Sequence, residues 1–128
     1  MDWCIQFAWC WLTAGSVSGV GLGLCFHRPD WLGGYGSWRR RLLRLGHIAF
    51  FGTGLLCLAM GLTTQQLGLN GNTVLWSQTL MITGAITMPI VCFLSAWKQP
   101  ARFAFPVPVT SLLLGIGLFT FSLLGATS

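Results

Sequence analysis

Four stretches of this 128-residue chain, residues 3–27, 38–63, 75–97 and 107–125, are apolar for most of their length and nearly free of charge. A helix of about 20 residues spans a hydrocarbon core of about 30 Å. Inside that core only a helix or a closed barrel satisfies its own backbone polar groups. Runs this long, separated by short polar connections, predict helices. The expected fold is therefore all-α: an integral membrane four-helix up-down bundle, built as one domain over residues 1–128.

Composition agrees. Charged residues are 7% of the chain, against roughly a quarter in a soluble domain, and the mean hydropathy is +0.72. The start, MDWCIQF, has an acidic rather than a basic leading segment, so no cleavable signal peptide is expected. The five cysteines, Cys4, Cys10, Cys25, Cys57 and Cys92, show no metal-site spacing and lie in or beside apolar runs. There cysteine acts as a small packing residue.

All seven basic residues fall in alternate connections: Arg28, Arg39, Arg40, Arg41 and Arg44 around the first, Lys98 and Arg102 in the third. The second connection, TTQQLGLNGNT, has no charge. Lys and Arg favour the cytoplasmic side, which predicts both termini on the non-cytoplasmic side, in a membrane such as the bacterial inner membrane. The net charge of +5 is thereby explained without nucleic acid. Within WRRRLLRLG, arginines at a helix N-terminus oppose the helix dipole by a few tenths of a kcal/mol each. Anionic headgroups return about 1 kcal/mol per basic residue. A lipid and topology role is expected, with an acidic partner or ligand as the alternative.

Local signals place the boundaries. Ser37 is a candidate N-cap for a helix starting near Trp38. Pro29 turns the chain after the first span, and Pro106 and Pro108 suit the start of the fourth. Pro89 is expected to bend the third by removing a hydrogen bond to the Ala85 carbonyl. Trp76 and Trp97 frame that span like interfacial anchors. Trp3, Trp9 and Trp11 crowd one end of the first span, where lipid, a cofactor or another subunit are the possible contacts.

Catalytic chemistry is poorly provided for. The only acids, Asp2 and Asp30, lie in flanking segments, and no P-loop, serine triad or HExxH motif is present. Proton and ion pathways ordinarily use intramembrane ionisable groups, so a small transporter is the weakest functional reading. Gln6 and Gln78 fall near span ends and read as interfacial.

The most specific pattern is a stripe of glycines, Gly15, Gly19 and Gly23, leading to His27 at the same four-residue spacing. On the second span His47, Gly54 and Gly61 repeat every seven residues, again on one face. Small faces allow close approach of membrane helices. They also leave room for a flat macrocycle. The second use makes His27 and His47 candidate metal ligands of haem b or another tetrapyrrole, with Gly23 supplying space and Arg28 and Arg44 pairing with propionates. A zinc site is less well supplied, because His27, His47, Cys25 and Asp30 are its only candidates.

The stretch RLLRLGHIAFFGTGLLCLAMG resembles a helix of small four-span membrane proteins distantly similar to haem–copper oxidase subunit I. In that pattern a histidine-bearing start is followed by a leucine-rich run with a glycine about five residues on; His47 and Gly52 match it. A second histidine often stands two residues earlier, where this chain has Leu45. The resemblance implies a membrane bundle and a ligating role for His47.

These observations give two functional expectations. The first is a small non-catalytic subunit of a larger membrane complex, respiratory or photosynthetic, with other subunits and anionic lipid as partners. The second is an electron-transfer protein holding haem b between His27 and His47.

Overall fold

A computed structural model describes residues 3–127. They form four long helices: α1 (Trp3–Phe26), α2 (Trp38–Leu67), α3 (Asn72–Trp97) and α4 (Pro106–Thr127). Short 3-10 turns occupy the first and third connections, at Trp31–Gly33 and Gln99–Ala104, and no strand occurs among the described residues. Each of the four is long and apolar enough to cross a membrane, the signature of a multi-pass helical membrane protein.

The boundaries follow from capping chemistry. Ser37 is extended, and its hydroxyl accepts the Arg40 backbone N–H at 3.3 Å, opening α2 at Trp38. The helix then runs past the expected end at residue 63 to Leu67. Gly68 takes a left-handed conformation with φ 60°, and the Leu69 and Gly68 N–H groups donate to the Thr64 and Gln65 carbonyls. This paired closure satisfies carbonyls that a helix end otherwise orphans, so the polar TTQQL segment is helical although it is not apolar. The 30 residues of α2 extend about 45 Å, longer than a hydrocarbon core. At the other boundary α1 stops at Phe26, leaving His27 in the following turn rather than in the helix. Pro89 lies buried within an α3 that runs unbroken from Asn72 to Trp97.

Each helix packs on the next in sequence, and α1 meets α3 only marginally. No substantial contact joins α1 to α4 among the described residues. The up-down bundle is therefore an open row with α2 and α3 in the middle. Pro29 and Phe26 at the end of α1 adjoin Arg40 near the start of α2, while Gln99 lines a cleft with Ser37, so the two basic connections share one end. The uncharged turn between α2 and α3 lies at the opposite end, near Trp3 and near Ser122 and Ala126.

Two apolar clusters hold the row. Away from the basic end, Cys4, Ala8, Cys57, Met60, Met81 and Phe119 join all four helices. At the basic end Leu42, Leu43 and Ala96 pack with Leu22, Phe93 and Phe105. Cys4, Cys57 and Cys92 are buried in this packing, whereas Cys10 and Cys25 are exposed. Between α3 and α4 the backbones almost touch: a Cβ on Gly115 would stand 3.0 Å from the Met81 nitrogen and 3.1 Å from the Ser77 carbonyl oxygen. The Ser111 hydroxyl donates across the same interface to the Leu80 carbonyl at 2.8 Å.

Several polar side chains inside the row find partners, while the buried Ser95 hydroxyl on α3 has none among the described residues. Gln78, expected at an interface, is instead buried, and its Nε2 donates to Thr64 Oγ1 at 3.3 Å, tying α3 to α2. The Trp11 indole donates to Thr53 Oγ1 at 3.1 Å and packs between Phe7 and Phe50. A satisfied hydrogen bond removes the cost of taking such groups out of water. Trp3, Trp9, Trp76 and Trp97 remain exposed.

Candidate functional site

The chemistry-bearing residues gather where α1 meets α2, in the half of the row nearer the basic end. His47 is half-buried on α2 and faces α1. Its Nδ1 lies 3.0 Å from the Ser18 hydroxyl, which itself donates to the Gly15 carbonyl at 2.8 Å. Ser18 thus bridges the α1 backbone and the His47 ring, and the ring's tautomer decides which of the two donates across the helix interface. Phe51 meets the ring edge-on at 5.3 Å. Gly19 completes the seat: a Cβ there would stand 2.7 Å from His47 Cε1 and 3.2 Å from Nε2.

The glycine stripe thus has two parts. Gly15 and Gly19 receive Phe50 and His47 from α2, while Gly23 looks onto open space with nothing within 4 Å of an added Cβ. The seven-residue face of α2 behaves as its spacing implies, since Gly54 meets Leu12 and Gly61 meets Ile5 on α1. Gly52, the other position of the second-span resemblance, faces open space.

His27 is not part of this seat. It is exposed beyond the end of α1, eight residues after Gly19, which amounts to more than two helical turns. The second helix gives the same measure. Its Arg40, not His47, lies level with His27, because the Arg40 guanidinium donates to the carbonyls of Phe26, Arg28 and Pro29 at 3.1–3.3 Å. A shared axial metal needs both imidazole nitrogens at about 2 Å from it. Residues offset by about 10–13 Å along the helices do not meet that need, and the ring of His47 is already enclosed by Ser18, Gly19 and Phe51. The pair expected to hold a tetrapyrrole does not fit one. The supporting residues also part: Gly23 makes no pocket beside His47, and Arg28 is exposed. Arg44 lies over the Tyr35 ring at 4.1 Å, with its Nη1 buried and unpartnered. Among the described residues no three of His, Cys, Asp and Glu converge.

Arg40 is the site residue that sequence reasoning missed. It is only 2% exposed, donates to the last carbonyl of α1 and to two carbonyls of the turn that follows, and stacks 4.7 Å from the Phe26 centroid. Cationic donors are favourable where a helix leaves carbonyls unpaired. Assigning the whole arginine cluster to lipid was therefore incorrect for this member. The signal was present: three consecutive arginines sweep about 200° of a helix, and α2 has neighbours on both sides.

Two clefts complete the region. An apolar groove of about 480 Å³ runs between α1 and α3 over Leu43, walled by Gly21, Leu22 and Cys25 on one side and Phe93 and Trp97 on the other. A second cleft of about 400 Å³ lies between the first connection and the end of α3, lined by Ser37, Arg39, Trp97 and Gln99. Comparison with known protein families, with characterised proteins and with solved structures finds no match to this chain.

Proposed function

We propose that this chain is a small, non-catalytic integral membrane subunit that docks into a larger membrane assembly. It is threaded with its basic connections in the cytoplasm and both termini on the opposite side. The supporting observation is the open row. α1 is held from one side only, and the face opposite Gly15 and Gly19 presents Val17, Val20 and Leu24, each at least 67% exposed. α4 at the other end presents Leu113, Phe121 and Leu124 in the same way. Membrane helices associate through packing of such faces, so both ends of the row are suited to adding a further helix. The threading draws its support from the seven basic residues in alternate connections. The electron-transfer reading finds no comparable support, because it rested on the pairing of His27 with His47.

Photo-crosslinking in native membranes tests the assembly. A crosslinking residue at Val17, Val20 or Leu24 is expected to give discrete protein adducts, whereas Ile90 on α3 is expected to give lipid. Lipid adducts alone from all four positions, with migration as a lone chain on a native gel, would overturn the proposal.

A further inference from the structure

The apolar groove and the basic cleft meet. Trp97 lines both, and Trp31 of the groove is followed in the chain by Leu32 and Gly33 of the cleft. Together they run from the charged end of the row down one side of the α2 surface left uncovered because α1 and α3 barely touch. Along α1 the groove extends from Ser18 to Cys25, about 10 Å. Its volume lies within the roughly 300–1,000 Å³ usual for small-ligand sites.

The two parts differ sharply in chemistry. The groove wall is almost wholly hydrocarbon and aromatic, with Leu22, Leu43, Phe93 and Trp97 and a single hydroxyl at Ser18. The cleft above it adds the Arg39 guanidinium, the Gln99 amide and the Ser37 hydroxyl. Asp30 is the only acid among the described residues, so the charge at this end is strongly positive. A molecule complementary to both parts has an anionic, hydrogen-bond-accepting head joined to an unbranched apolar tail. We propose that this composite surface is a binding site for one anionic glycerophospholipid, with its phosphate at Arg39 and Gln99, its glycerol beside Trp97 and the first part of one acyl chain along Leu43 and Gly21. The bound lipid fills the gap that the open row leaves between α1 and α3.

The two halves can be tested separately. Gly21 lines the groove, yet an added Cβ there meets nothing within 4 Å, so Gly21→Leu fills the groove without disturbing helix contacts. Arg39 is exposed, and Arg39→Gln removes the charge while leaving Arg40 in place. Native mass spectrometry of the purified full chain, titrated with phosphatidylglycerol or phosphatidylcholine, reads the bound lipid directly. The wild type is expected to hold one phosphatidylglycerol in preference to phosphatidylcholine. Arg39→Gln should weaken phosphatidylglycerol about fivefold, the value of one basic residue facing an anionic headgroup, without affecting phosphatidylcholine. Gly21→Leu should weaken both lipids, and Arg41→Gln, outside the cleft, neither. Equal binding of the two lipids by the wild type would overturn the proposal. So would Gly21→Leu binding as the wild type does, or glycerol phosphate displacing the lipid at equal concentration, which would mark a site for a free anion.

Discussion

His47 is seated against Gly19, so closely that a methyl group on the glycine would fall 2.7 Å from the ring. The contact turns a small residue on one helix into a socket for an imidazole on the next, and it predicts a reciprocal pair of substitutions. Gly19→Ala should destabilise the protein by roughly 1–3 kcal/mol, the usual cost of overpacking. In a His47→Ala background the same change should cost less than half as much, because the obstructing ring is gone. Thermal melting in detergent, followed by size-exclusion recovery, measures both. Equal costs in the two backgrounds would show that the ring does not occupy the socket.

Arg40 should matter far more than its neighbours. Arg40→Ala removes three hydrogen bonds, to the last carbonyl of α1 and to two in the turn after it, of which the Arg28 carbonyl keeps the Trp31 N–H, and hydrogen bonds to a charged group contribute about 1.5–3 kcal/mol each. A loss of at least ~3 kcal/mol is expected, with Arg40→Lys restoring less than half, since an ammonium lacks the planar fork. Arg39→Gln and Arg41→Gln, at exposed positions, should stay within about 0.5 kcal/mol of the wild type. The same melting measurement ranks all four variants.

The two glycines in the middle of α4 should behave oppositely. Gly115→Ala forces a methyl group against backbone atoms of α3 at 3.0–3.1 Å, whereas Gly117→Ala meets nothing within 4 Å. The first is expected to destabilise the α3–α4 pair by about 1–3 kcal/mol. The second should be neutral or gain up to ~1 kcal/mol from helix propensity. Comparable melting of the two variants would contradict the close α3–α4 approach.

The threading predicts a labelling pattern. In a cysteine-free background, a membrane-impermeant thiol reagent applied to intact cells should modify Asn70→Cys in the uncharged turn and spare Ser37→Cys beside the arginines. Modification of Ser37→Cys from outside would reverse the orientation.

The spans were legible because charge is so scarce that every run of hydrocarbon stands out, and Ser37 marked the start of α2 by its capping chemistry. The end of α2 was misplaced because hydropathy stops at residue 63 while backbone hydrogen bonding continues to the left-handed Gly68. The relative depth of the histidines could have been counted. His27 falls one residue beyond α1 and His47 nine residues after Trp38, a difference of about 13 Å along the helix. Spacing alone showed which residues share a face, and His47, Gly54 and Gly61 do. It could not show that Gly23 has no partner, because that depends on where α2 begins and where the 3-10 turn carries the chain. Arg40 was hidden for a related reason: residue type says surface, and only the end of α1 and the turn after it draw one arginine inward.

The turn between α2 and α3 has a bearing on biogenesis. Gly68–Gly71 joins two helices through only four residues, so neither helix can enter the bilayer far ahead of the other. On the proposed threading that turn is the segment which must pass through hydrocarbon to reach the far side. Carrying an Arg, Lys or Asp to mid-membrane costs about 2.5–3.5 kcal/mol on insertion scales, and TTQQLGLNGNT contains none. The hairpin can be inserted as a unit without dragging an ion across, while the arginines behind it anchor the end that stays.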